Sequence, residues 1–196
     1  MVLTIYGDLR SGNCLKVKWT AEKLNISYRW IEVDVVGGET RSPEFISINP
    51  AGQVPAVVLN DGRILAQSNA IIFYLAEGSR LVPAEAFARA RMLEWMFWEQ
   101  YSHEPYIAVA RFQMAYLGKP REALEPRLFE RGEAALRRLE GALGGSPFLV
   151  ADDLSLADVA LVAYTRVAHE GGFDLAPFPA VRDWIGRVER ELGIES

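Results

Sequence analysis

Asn49-Pro50-Ala51-Gly52-Gln53-Val54-Pro55-Ala56-Val57-Val58-Leu59-Asn60-Asp61-Gly62-Arg63-Ile64-Leu65 is the stretch on which the fold turns. Two short apolar runs, Ala56 to Leu59 and Arg63 to Leu65, flank Asn60-Asp61-Gly62, and apolar runs joined through Asp-Gly make a β-hairpin. Pro55 stands directly before the first run. A proline has no N–H for a ladder, so it belongs at a strand start or in a cis bond. Taken alone, Val54-Pro55 reads as ordinary strand entry. The functional alternative is a cis-proline that turns the Val54 backbone toward an extended ligand, which pairs with it as an added strand.

Working outward, residues 2–6 form an apolar β-prone run, and Gly7 to Gly12 turn the chain. Residues 13–24 place Leu15, Val17, Trp19, Ala21 and Leu24 on most of one helix side. Residues 28–33 read as a second strand, and a crossover helix implies that the two strands are parallel. Ser42 and Pro43 open a short helix as cap and first-turn residue. A helix over about 67–77 follows the hairpin. This order, β-α-β-α-β-β-α, resembles the thioredoxin fold as used by glutathione-binding proteins.

Beyond Gly78 no strand pattern recurs. Residues 79–83 read as a linker, and Pro83 as the start of a long aromatic helix running to about Leu117. Gly118-Lys119-Pro120 breaks it. Leu124, Leu128, Ala135, Leu136, Leu139 and Leu143 then form one helical stripe. Ser155 to His169 and Pro179 to Leu192 predict two more helices. The expected organisation is therefore an α/β domain over 1–78 and an all-helical domain over 84–196.

Composition sets the outer limits. The 196 residues are 50% hydrophobic and 24% charged, ordinary for a globular chain and unlike a disordered one. A net charge of −5 without basic runs argues against a nucleic-acid partner. One cysteine excludes an intrachain disulfide framework. No apolar stretch approaches a membrane span and the start does not read as a signal peptide, so a soluble cytoplasmic protein is expected. No His/Cys cluster has metal-ligand spacing, so no metal is expected.

Three polar elements carry chemistry. Ser11-Gly12-Asn13-Cys14 lies at the start of the first helix, where the positive field favours a thiolate over a thiol. Val54-Pro55 is the second. The third is Gln67-Ser68 at the start of another helix, where Ser68 reads either as a cap alone or as part of a carboxylate site. Together with the all-helical half, these elements resemble the cytosolic glutathione S-transferase family, over the whole chain. The nearest likeness is to bacterial members in which a Ser or Thr and a nearby Asn face the glutathione sulfur. Asp153-Leu154-Ser155-Leu156-Ala157-Asp158 resembles the family's capping box, in which Ser155 and Asp158 cap a helix reciprocally.

The resemblance implies roles for individual residues. Gln67 and Ser68 match positions that bind the γ-glutamyl carboxylate and amine. Val54 matches the residue whose backbone pairs with the cysteinyl unit, with Pro55 cis. Gln53, helped by Arg41, reaches the glycine carboxylate. Ser11 matches the sulfur-activating hydroxyl, with Asn13 as a second donor. Tyr6 sits where some classes carry a catalytic Tyr; the Ser-x-Asn pattern makes it a packing residue here, with a catalytic role as the rival. Cys14 falls where a glutaredoxin has its second Cys, but the first is replaced by Ser11, so Cys14 reads as a buried small hydrophobe.

In the helical half, His103 matches a catalytic His of beta-class relatives only in part and reads as a helix-face or dimer-interface histidine. Tyr106, Arg111 and Phe112 are expected to wall an electrophile pocket. Trp95, Phe97 and Trp98 read as packing, and His169 as a helix-end residue. The implied protein is a homodimer in which Tyr101 or Glu104 faces the partner subunit's glutathione. The implied activity is conjugation of the glutathione thiolate, as co-substrate, to a small electrophile. Alternatives are a glutathione-dependent disulfide-bond reductase or peroxidase, and a non-catalytic glutathione-binding module.

Overall fold

A computed structural model describes residues 2–150 and 152–194. The chain divides into two compact units, Met1–Ser79 and Arg80–Ser196. The first carries strands β1 (Leu3–Gly7), β2 (Tyr28–Glu32), β3 (Ala56–Val58) and β4 (Ile64–Ala66) and helices α1 (Gly12–Lys23), α2 (Pro43–Ile48) and α3 (Ser68–Leu75). The sheet order is β2-β1-β3-β4. β1 and β2 run parallel, as the α1 crossover requires, and β1-β3 and β3-β4 are antiparallel.

Strand alternation sorts the two faces. Ile5 pairs with Trp30, and a side chain at Gly7 would collide with Trp30 and Cys14 of α1. That face, with Ile5, Cys14, Val17, Ile71 and Ile72 fully buried, is covered by α1 and α3, which pack on each other. Tyr6 points the other way, onto the cluster of Val33, Phe45 and Ala56 under α2. Its ring meets Phe45 edge-on, with centroids 6.4 Å apart. Ser42 caps α2 by accepting the Phe45 N–H at 3.2 Å.

The second unit is helical: α4 (Ala86–Trp98), α5 (Glu104–Arg111), α6 (Pro126–Leu143), α7 (Leu156–Thr165) and α8 (Pro179–Leu192). α4 starts later than Pro83 suggests, because the Glu85 carboxylate caps it by accepting from the Phe87 and Ala88 N–H groups at 2.8 and 2.7 Å. The expected single helix to Leu117 is also interrupted. Pro105 has no N–H to return to the carbonyl four residues back, and the chain widens into a π-turn at Glu99–His103, with another at Phe112–Tyr116. The helix expected to reach His169 ends at Thr165, and His169 lies in a short 3-10 turn, Ala168–Gly171. Among the described residues no helix is long and apolar enough to cross a membrane.

α7 is buried on every side, and a polar anchor positions it. Asp158, fully buried, accepts from the Ser155 N–H and hydroxyl, the Leu149 N–H and the Trp184 indole N–H, at 2.9 to 3.0 Å. Burial pushes its carboxyl up, and these four donors pull against that. The Ser155/Asp158 capping box is thus present and extends to the 149 loop and α8. Asp158→Ala should cost about 3 kcal/mol or more, because it leaves buried donors without an acceptor. Urea unfolding followed by tryptophan fluorescence checks this; a loss under 1 kcal/mol would contradict the role.

Candidate functional site

The register around Ala56 gathers the polar elements. Ala56 pairs with Tyr6 on one side and with Ala66 on the other. The residues after β1, those before β3 and those after β4 therefore leave the sheet at the same end. Those residues are Asp8 to Ser11, Gln53 to Pro55 and Gln67 to Ser68.

The Val54–Pro55 peptide is cis, as expected. No hydrogen bond to the Val54 backbone occurs among the described residues, so its N–H and C=O can pair with a strand from outside. The turn before it is held by Asn49, a residue to which sequence reading gave no role. Its buried amide donates to the Gln53 carbonyl at 2.6 Å and accepts the Ala51 N–H at 3.2 Å. The Asn-Pro-x-Gly pattern is the available signal, since Asn side chains bond their own turns. Arg41 lies over this turn and donates to the Ala51 carbonyl at 3.5 Å. Gly52 makes room for it: its φ is +61°, and a Cβ there would meet the Arg41 guanidinium. Arg41 and Gln53 are both exposed.

At α3, Gln67 is the cap residue and Ser68 the first helical one, so Ser68 is not the cap. Gln67 has φ +71°, unusual for a side-chain-bearing residue and worth about 1–3 kcal/mol of strain. The Ser68 hydroxyl, buried, instead donates to the Asn13 side-chain oxygen at 3.0 Å. The same oxygen accepts the Lys16 ammonium at 2.8 Å. Ser11 occupies the cap position of α1 without a side-chain capping bond. Its hydroxyl pulls the Cys14 thiol toward a lower pKa.

Residues 1–77 match the glutathione S-transferase N-terminal domain, and residues 95–191 match the C-terminal domain of the same family. The chain is 30% identical over 184 residues to the disulfide-bond oxidoreductase YfcG of Escherichia coli, covering 88% of this chain and 84% of that protein. The chain belongs to the glutathione S-transferase family. Mouse glutathione S-transferase theta-1 is 33% identical over 207 residues, 98% of this chain and 85% of that protein. A crystal structure of glutathione S-transferase from Pseudomonas fluorescens superposes with a TM-score of 0.93 at 47% identity, covering 96% of this chain and 95% of that one. The thioredoxin-like unit followed by an all-helical unit is this family's architecture.

Tyr6 belongs to the Phe45 cluster and packs, as the Ser-x-Asn pattern implies. Several other residues land elsewhere than expected. His103 is not on a helix face: it is fully buried, and its Nε2 lies 2.9 Å from the Thr165 hydroxyl. That hydroxyl donates to the Leu161 carbonyl, so the Nε2 nitrogen carries the proton and donates to Thr165. Arg111 is buried and donates to Glu170 at 2.7 Å, tying α5 to the 3-10 turn rather than standing on an open wall. Phe97, expected to pack, is 73% exposed. Trp95 is buried and meets Trp98 edge-on at 5.2 Å. Tyr106 and Glu104 are half-buried, and Phe112 and Tyr101 are exposed. A groove of about 530 Å³ between α6, the 144–147 loop and α8 contains none of these residues. Among the described residues no group of three or more His, Cys, Asp and Glu could hold a metal ion.

Cys14 is inert by environment. Burial pushes its thiol up to about 12, with the Asp8 and Glu32 carboxylates adding to this; the Ser11 hydroxyl and the Asp8 N–H pull the other way. Iodoacetamide at pH 8 should therefore leave Cys14 unlabelled in the folded protein and label it fully in denaturant, as mass spectrometry can read. Labelling of the folded protein at the rate of a free thiol would contradict this.

Proposed function

We propose that the protein is a glutathione transferase of the Ser/Asn type, which activates the glutathione thiol and directs it at a small electrophile. The register around Ala56 carries this reading, because it collects Ser11, Val54-Pro55 and Gln67-Ser68 at one end of the sheet. In it, the open Val54 backbone pairs with the cysteinyl unit. Gln53 and Arg41 take the glycine carboxylate, and Gln67 and Ser68 take the γ-glutamyl end.

The sulfur then lies toward Ser11. Its hydroxyl donates to the thiolate. The Asn13 side-chain oxygen accepts from Lys16 and Ser68, and the Asn13 NH₂ group is the second donor to the sulfur. Donors aimed at a developing anion lower the thiol pKa and leave a nucleophile at neutral pH. Glutathione supplies the reactive sulfur, which fits the high pKa of Cys14. Tyr106 and Phe112 remain the candidate walls for the electrophile.

The likeness to a protein named as a disulfide-bond oxidoreductase favours one second reading, reduction of disulfides with glutathione itself as the redox thiol. Parallel turnover of glutathione with an aryl halide, an organic hydroperoxide and a small disulfide separates the two. A homodimer is part of the proposal. It is supported by Phe97 and Tyr101, 73% and 83% exposed and one turn apart. A monomer mass by light scattering at micromolar concentration would sink it.

Ser11→Ala should raise the pKa of the bound thiol by about one to two units, the worth of a hydrogen bond to an ionised group. A raised thiol pKa means less thiolate at neutral pH, so activity falls there and partly recovers as pH rises. The Ser11/Asn13 double alanine variant should lose both donors and show the larger shift. Cys14→Ala should keep the wild-type pH profile. Loss of turnover in Cys14→Ala with retention in the double variant would replace this mechanism by a cysteine-based one.

A further inference from the structure

We propose that Asp8 is a positioning residue with two opposed effects on the reaction: its buried side chain aims the Ser11 hydroxyl at the glutathione sulfur, and its negative charge works against the thiolate formed there. The role rests on the Ser/Asn glutathione reading above and adds to it the group that places the hydroxyl.

Asp8 to Ser11 join β1 to α1, and each backbone N–H of this turn has an acceptor. The Asp8 N–H meets the Cys14 sulfur at 3.5 Å, and the Leu9 N–H meets the Glu32 carboxylate at 3.1 Å. The other two end on Asp8 itself. Its carboxylate accepts the Arg10 N–H at 2.8 Å, and its carbonyl accepts the Ser11 N–H at 2.9 Å. An Asp side chain that binds the N–H two residues on folds its own turn. These four N–H groups are committed to the protein, so the Ser11 hydroxyl reaches a sulfur from a backbone that Asp8 has fixed.

The same carboxylate is also a charge. The Asp8 side chain is 3% exposed, whereas the Arg10 guanidinium 3.5 Å away is 57% exposed and screened by water. From β2, Glu32 adds a second carboxylate, held by the Leu9 N–H and by the Trp30 indole N–H at 2.6 Å. From α1, Cys14 faces the turn, and the Lys16 ammonium is bound to the Asn13 oxygen. Cys14 shows what a sulfur meets at this place: the Ser11 hydroxyl pulls its thiol down, while the Asp8 and Glu32 carboxylates push it up. A glutathione sulfur beside Ser11 meets the same hydroxyl and the same two charges.

The full chain carries the test, with glutathione bound and its thiolate followed by ultraviolet absorbance across pH. Asp8→Asn keeps an accepting oxygen for the Arg10 N–H and removes the charge. It should lower the pKa of the bound thiol by about half to one unit. More thiolate then forms at lower pH, so the acid limb of the turnover profile moves down with it. Asp8→Ala removes the acceptor as well, and its thiol pKa should lie about one unit or more above that of Asp8→Asn. In a Ser11→Ala background this gap should vanish, because position acts through the hydroxyl. Both variants should still lie below Ser11→Ala alone, because the charge acts without it. A merely structural role would leave the Asp8→Asn pKa at the unmutated value or raise it. Either result overturns the proposal, as does a gap that persists without the hydroxyl. Should Asp8→Ala fail to fold, the direction of the Asp8→Asn shift decides. Failure of the unmutated protein to bind glutathione, or a Ser11→Ala variant that keeps the unmutated thiol pKa, overturns the Ser/Asn reading itself, an outcome distinct from an Asp8→Asn pKa that stays or rises.

Discussion

Ala56 is paired on both sides, with Tyr6 and with Ala66, and the first unit depends on that register. A shift of one residue would send every side chain of β3 to the opposite face. Val57 would leave its buried position and Ala56 would leave the Phe45 cluster. The same shift would separate the three loops at the end of the sheet. The burial that fixes the hydrophobic pattern and the placement of the polar residues are thus one constraint. The cis Val54–Pro55 peptide sits at the entrance to this strand, and the chain before it is tied down by Asn49.

Around that frame the site is built from unfavourable local choices held in place by long-range bonds. Gln67 sits at a φ that a side chain disfavours, and Gly52 is needed where Arg41 crosses the turn. Against these costs stand the Ser68–Asn13 hydrogen bond, which joins the starts of α3 and α1 across 55 residues of sequence, and the Lys16 contact on the same oxygen. A network whose members are all satisfied holds one geometry, whereas a partly satisfied one would be costly at this depth. The arrangement suits a pre-organised binding surface, in which donors are fixed before the ligand arrives.

The helical unit follows the same logic with different parts. α7 has no exposed face, so hydrophobicity alone cannot set its rotation. Asp158 does so, through donors from the 149 loop, its own N-terminus and α8. His103 likewise fastens the π-turn to Thr165, and Arg111 fastens α5 to Glu170. Two polar residues that a linear reading sets among the candidate site residues, His103 and Arg111, thus join the capping-box Asp158 as cross-braces of a helical core.

Much of the fold was legible beforehand because its signals are local. Asp-Gly between apolar runs, Ser42-Pro43 at a helix start, the α6 stripe from Leu128 to Leu143 and the Ser155/Asp158 box each announce themselves within a few residues, and each is found, while Leu124 of the expected stripe falls before α6. The motif that names the family is also local, which is why the order of Ser11-x-Asn13, Val54-Pro55 and Gln67-Ser68 sufficed to suggest it. What the sequence could not determine is the fate of side chains whose partners lie far along the chain. Phe97 and Trp95 are two residues apart in one aromatic run, yet one is exposed and the other buried. Lys16, to which the sequence reading gave no role, is fully buried and donates to the Asn13 oxygen that also accepts from Ser68 of α3. Periodicity fixes which residues share a helix or a strand; only the packing of one element on another decides which of them meet water and which meet each other, because burial and hydrogen-bond partnership are properties of the assembled neighbours.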